Sequence, residues 1–213
     1  MALDAFNKRV YISYISGNSL TAVDYLNPKS LKVAVLKTGK KPSKMAINLD
    51  NQDLYVVNYG DNYLSVFDKN GAEKPKIELG KNIMSLALNS IRGLIFAVAK
   101  NEPDKLMIYN LSNNRIESVN LKSKILGLST ISKNDKVYAS QLIDGRLNLA
   151  EIDSNTKEIT YYDLEKLTSI ERNRRSFQDY RLYIFGGFGL IILLAIGYLF
   201  YRKRTLNRAE IKP

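Results

Sequence analysis

Apolar and polar positions alternate with a period of two through residues 54–58 and again through 63–67. Leu54, Val56 and Asn58 interleave with Tyr55, Val57 and Tyr59, and Leu64, Val66 and Asp68 interleave with Tyr63, Ser65 and Phe67. Such alternation is the period-2 signal of a β-strand. Between the two runs stands Tyr59-Gly60-Asp61-Asn62. These are turn residues, because Gly and Asn accept positive φ and Asp bonds nearby backbone. The stretch predicts a hairpin, and a lone hairpin is marginal in water. The same pattern recurs over 10–24, 94–110 and 137–153. With Tyr11, Tyr55, Ile95 and Tyr138 taken as equivalent, the steps are 44, 40 and 43 residues.

An apolar strand is predicted before each hairpin, at 2–6, 44–49, 83–88 and 125–131, and a more polar one after it, at 31–36, 76–79, 115–120 and 158–163. Four strands in every 40–45 residues is the spacing of β-propeller blades. The expected fold is therefore all-β: about four four-stranded blades, at 1–40, 41–80, 81–122 and 123–164. They either form a complete small ring or belong to a larger one, and an open array would leave edges that need a partner. Asn70-Gly71 and Asp144-Gly145 mark further turns, and Lys40-Lys41-Pro42-Ser43 suits an exposed linker. In the third blade, Asn101-Glu102-Pro103-Asp104 replaces the short Gly/Asn turn.

The hairpin resembles the YVTN family of β-propeller repeats. Leu54-Tyr55-Val56-Val57-Asn58 matches its first strand and Leu64-Ser65-Val66-Phe67-Asp68 its second. The third blade departs from it, with Ile95 for Tyr and Asn110 for the closing Asp. The resemblance covers about the first 165 residues. It implies the propeller fold and a cell-surface or secreted setting, and no single reaction. No positive and apolar leader precedes residue 2, so no signal peptide is expected. The start on an inner strand points to a truncation, or to other blades in another chain or an upstream segment.

The pattern changes after Asp163. Leu164, Leu167 and Ile170 fit a helical face with Asp163 as N-cap, and residues 165–181 read as a polar stalk or linker. Residues 182–201 then run twenty positions without a charge. As a helix this run is about 30 Å long, the thickness of a bilayer's hydrocarbon core. Tyr183, Tyr198 and Tyr201 fall where interfacial aromatics belong. A single C-terminal transmembrane α-helix is expected, with a basic tail at 202–213. Gly186, Gly189 and Gly197 share a face with Leu193 and would let another membrane helix approach. Arg202, Lys203 and Arg204 are the topology-determining basic residues, which places the tail in the cytoplasm and the blades outside. Arg172, Arg174, Arg175 and Arg181 on the other side make that bias small.

Charge and composition narrow the chemistry. Net charge is +11 over 213 residues, and residues 170–213 hold nine Lys/Arg against three Asp/Glu. The dense positive charge flanks the apolar run, so the expected partners are a lipid bilayer and another protein subunit covering the blade edges, not nucleic acid. The chain has no His, Cys or Trp. Without His or Cys there is no Ser-His-Asp or Cys-His arrangement and no His- or Cys-based zinc site. Asp24, Asp68 and Asp153 recur at the end of the third strand and read as turn residues rather than a Ca²⁺ set. Tyr11, Tyr55 and Tyr138 read as packing between blades. The Asn110-Leu111-Ser112 sequon is near chance for so Asn-rich a chain. No catalytic, cofactor-binding or metal-binding residue is expected. The function expected is a membrane-anchored module that binds protein or glycan, or a subunit of a membrane assembly. The rival readings are a surface lactonase- or dehydrogenase-like enzyme lacking its full ring and a tail-anchored cytoplasmic scaffold.

Overall fold

The computed structural model describes residues 1–24, 33–131 and 134–166. The apolar run at 182–201 lies outside them, and with it Gly186, Gly189, Leu193 and Gly197 and, beyond it, Arg202, Lys203 and Arg204. Among the described residues no helix is long and apolar enough to cross a membrane.

Among the described residues sixteen strands form four antiparallel sheets, each taking four strands in chain order. Blade 1 contains β1 (Ala2–Asp4), β2 (Arg9–Tyr14), β3 (Ser19–Asp24) and β4 (Val33–Lys37). Blade 2 contains β5 (Pro42–Ile47), β6 (Leu54–Asn58), β7 (Tyr63–Phe67) and β8 (Glu73–Glu78). Blade 3 contains β9 (Ile83–Asn89), β10 (Leu94–Ala99), β11 (Glu102–Asn110) and β12 (Ile116–Asn120). Blade 4 contains β13 (Ile125–Thr130), β14 (Lys136–Ile143), β15 (Arg146–Asp153) and β16 (Ile159–Asp163). The first strands stand side by side, β1 against β5, β5 against β9 and β9 against β13. The result is an all-β row of four propeller-like blades.

Three cores fill the three gaps. Tyr11, Leu20 and Ala22 of blade 1 pack on Leu54, Val56 and Phe67 of blade 2. Tyr55, Val57, Leu64 and Val66 of blade 2 pack on Ile95, Ala97 and Tyr109 of blade 3. Phe96, Val98, Leu106 and Ile108 of blade 3 pack on Val137, Ala139, Ala150 and Ile152 of blade 4. Each fully buried Leu, Val or Phe there contributes about 1.5–3 kcal/mol of transfer free energy. No core cluster among the described residues joins blade 4 to blade 1.

These faces correct the phase expected for the third blade. Ile95 faces backwards to blade 2, while Tyr55 faces forwards to blade 3. The residue in Tyr55's place is Phe96, which faces blade 4. The pairing is the same in every blade: Ala2 opposes Tyr11, Ala46 opposes Tyr55, Ala87 opposes Phe96 and Ser129 opposes Tyr138. A small residue on the first strand makes room for the ring on the second.

Other local expectations also shift. The third-blade turn is only Lys100-Asn101, because β11 already begins at Glu102. Pro103 is tolerated there because the β10–β11 register shifts between Ala97 and Ala99, and an irregular ladder spares it a donor. Pro42 is not in an exposed linker but buried as the first residue of β5, another place where a strand accepts proline. Gly60 and Asn62 are not among the residues with positive φ. Gly60 serves close approach instead, since a Cβ there would lie 2.7 Å from the Lys40 Cβ.

One end of the row gathers the blade-to-blade linkers and the turns between second and third strands. There the Thr38 N–H donates to the Asn18 carbonyl at 2.9 Å and the Gly60 N–H to that of Lys40 at 3.0 Å. The Gly80 N–H donates to Asn62 at 3.1 Å, Lys100 to Asn82 at 2.9 Å and Leu121 to Asp104 at 2.8 Å. Asp61 Oδ2 accepts from the Lys40 N–H at 2.6 Å. These bonds tie the turn or third strand of each of the first three blades to the linker that enters or leaves that blade.

Candidate interaction surface

Blade 1 has two unlike faces, and strand register says which side chains share each. Directly opposed residues of an antiparallel pair point to the same side, and i and i+2 do likewise. Leu3 opposes Val10, which opposes Val23. Ile12 opposes Thr21, which opposes Val35. Tyr14 opposes Ser19. These rows make the face turned away from blade 2. On it Leu3 is 63% exposed, Ile12 46%, Tyr14 67% and Val35 64%. Exposed Lys8 and Lys37 stand near its margin.

The corresponding rows in the later blades are core. Ile47, Leu54 and Phe67 occupy the places of Leu3, Val10 and Val23, and Val56 occupies that of Ile12. Leu54 is 1% exposed and Val56 is fully buried. In blade 3 the row is Leu88, Ile95 and Tyr109, and in blade 4 it is Thr130, Val137 and Ile152. In each of these blades a preceding sheet covers the row. A contiguous apolar sheet face left in water is uncommon and marks an interaction site.

The opposite terminal face, on blade 4, is built differently. Tyr138 and Leu149 are buried there, with Ile131, Tyr162 and Leu164 packed on them. Glu151 stands where the other blades have Ala22, Val66 and Ile108. Lys136 Nζ lies 3.4 Å from Glu151 Oε1 and 3.2 Å from Asp153 Oδ2. Burial, and then the Glu151 charge, push the Tyr138 hydroxyl up to about 12. Burial alone would pull the Lys136 ammonium down, but Asp153 and Glu151 outweigh it and hold it raised.

Asp68 and Asp153, two of the recurring strand-end residues, behave as turn formers, and the side chain of Asp24 lies outside the described residues. Asp68 Oδ1 accepts from the N–H groups of Asn70 and Ala72, both at 2.8 Å. Asp153 Oδ1 accepts from Asn155 at 2.9 Å and Thr156 at 3.1 Å. The Ala72 N–H is the main cause of the lowered Asp68 pKa, and the Thr156 N–H that of Asp153. Asn110 holds the same place, accepting from the Ser112 N–H at 2.8 Å and hydroxyl at 2.7 Å. The three are thus in separate turns, and the described residues contain no group of three His, Cys, Asp or Glu side chains that could hold a metal ion. Tyr11 and Tyr55 are buried between blades, as their repeat-locked positions require, and Tyr138 takes the same place on blade 4 with no blade beyond it among the described residues. The exposed face of blade 1 was not legible in the sequence, because Val10, Ile12 and Tyr14 alternate just as the buried rows do.

Comparison with known proteins adds little beyond architecture. No family model matches the chain, and no curated protein matches it. Among solved structures, the chain is similar to Kuenenia stuttgartiensis hydrazine synthase, with a TM-score of 0.60 and 17% identity over 73% of this chain and 46% of that one. The chain thus matches less than half the length of that protein, and the likeness is one of fold alone.

Proposed function

We propose that this chain is a single-pass, membrane-anchored β-propeller module of the YVTN type that acts by binding a protein partner within a membrane or cell-surface assembly. The apolar run at 182–201 is its anchor, with the blades outside and the basic tail in the cytoplasm. The observation that carries the binding role is the exposed outward face of blade 1. The same face is covered by a sheet in each of the three following blades. The partner is therefore a protein that lays a sheet face of its own on Leu3, Ile12, Tyr14 and Val35. Such a sheet would complete a larger propeller ring.

A native pull-down from membranes tests this. The full chain recovers a stoichiometric protein partner, and the double variant Ile12→Lys with Val35→Lys loses it while its thermal unfolding stays unchanged. Recovery of the same partner by parent and variant would show that this face binds nothing.

A further inference from the structure

Six lysines stand in the connections of the linker end: Lys40, Lys41, Lys81, Lys100, Lys122 and Lys124. All six are exposed. None pairs with a carboxylate among the described residues. The carboxylates in the same connections are Asp61 and Asp144, and Asp61 already accepts from backbone. The other end of the row differs. Its connections hold five carboxylates against eight cations, of which Lys29, Lys32 and Lys133 lie outside the described residues. There Arg92 pairs with Asp135, and Lys157 of blade 4 pairs with Glu117 on β12 of blade 3 at 2.7 Å.

The chain also leaves the blades at the linker end. Asp163, the last residue of β16, opposes Asn148 beside the β14–β15 turn. The Lys122 N–H donates to Tyr161 Oη on β16 at 3.1 Å, and its ammonium lies 4.5 Å from that ring. Residues 167–181, fifteen in all, separate this point from the apolar run. Fifteen residues span about 20 Å as a helix or as a coil.

We infer that the linker end is a lipid-facing surface whose six lysines lie on anionic headgroups of the bilayer. This rests on reading 182–201 as a membrane span. The tether holds the basic end at high effective concentration near the headgroups. Attraction to an anionic surface acts within about a Debye length, roughly 10 Å at 0.1 M salt. The end that holds the Arg92–Asp135 and Lys157–Glu117 pairs then points away from the membrane and leaves the rim of the blades open to solution.

The chain has no Cys, so single labels are clean. The full chain carries a fluorophore at Asn101→Cys on the linker end or at Asn113→Cys on the opposite end, both exposed. It is reconstituted into phosphatidylcholine vesicles with or without phosphatidylglycerol, doped with a headgroup-linked quencher. The label at 101 is quenched more than the label at 113, only with phosphatidylglycerol present, and high salt removes the difference. Each Lys→Gln change among Lys40, Lys41 and Lys81 lowers the docked-to-undocked ratio about fivefold. Equal quenching at the two positions, stronger quenching at 113, or indifference to phosphatidylglycerol would overturn the inference. Flotation with neutral vesicles at high salt reads the anchor separately. A chain that fails to float loses the membrane span, while quenching on anionic vesicles still decides which end meets lipid.

Discussion

Blade 1 turns Leu3, Ile12, Tyr14 and Val35 to solvent on the face pointing away from blade 2, whereas blade 4 keeps Tyr138 and Leu149 buried on the face pointing away from blade 3. Both are four-stranded sheets from the same repeat, so strand geometry does not separate them. The difference lies in a few side chains. Blade 4 covers its last face with Ile131, Tyr162 and Leu164 and places the Lys136–Glu151 pair on it. Repeat arrays need a terminal unit with a polar outer face to remain soluble. Blade 4 meets that need and blade 1 does not. A row with one covered and one uncovered end has a direction, and the proposed binding surface lies at the uncovered end.

Substitutions at the two ends sharpen that contrast. Leu149→Ala should have the largest effect, lowering stability by about 2–5 kcal/mol, read as the urea midpoint, because it opens a cavity in a packed face. A loss below the cost of an exposed Leu would mean that this face is not closed. The next effect depends on pH. The raised pKa of Tyr138 belongs to the folded state. Between about pH 10 and 12 the unfolded chain has lost this proton while the folded chain keeps it, so stability falls as pH rises through that window, by up to about 2–3 kcal/mol. Below that window the group costs nothing. Tyr55 and Tyr109 are also raised, so the readout is the difference between parent and Tyr138→Phe. The variant should lose stability less steeply over the window, and matching slopes would show that Tyr138 is solvated. The smallest effect belongs to blade 1, where Ile12→Ser should change stability by less than about 0.5 kcal/mol, measured by the same urea titration. A loss as large as a core substitution would show that the face is already covered within the chain.

Much of the fold was legible because turns and strand alternation agree in three blades. The hairpin over 54–68 forms as the alternation predicts, and Gly71 adopts the positive φ of 88° that its turn signal implies. The third blade resisted because all six residues of β10 are apolar, so no polar position sets the phase, whereas the equally buried β6 carries Tyr55 and Asn58. A different signal was present. The small residue and the ring that opposes it are nine positions apart in every blade, from Ala2 to Tyr11, Ala46 to Tyr55, Ala87 to Phe96 and Ser129 to Tyr138. Aligning on that pair recovers the true register. The interaction surface could not be read in the same way. Ile12 and Val56 hold equivalent places in similar strands, and only the presence or absence of a neighbouring sheet makes one exposed and the other core. Arg202, Lys203 and Arg204 and the glycines at 186, 189 and 197 lie outside the described residues.

The pairing of a ring with a small opposing residue has a further consequence. Because every gap between sheets is keyed by the same lock, one blade is nearly interchangeable with another. A duplication of some forty residues, inserted between blades 2 and 3, would meet a fitting surface on both sides. Copy number could thus change in the lineage by whole units without exposing an interior, while the capped final unit and whatever follows it stay untouched.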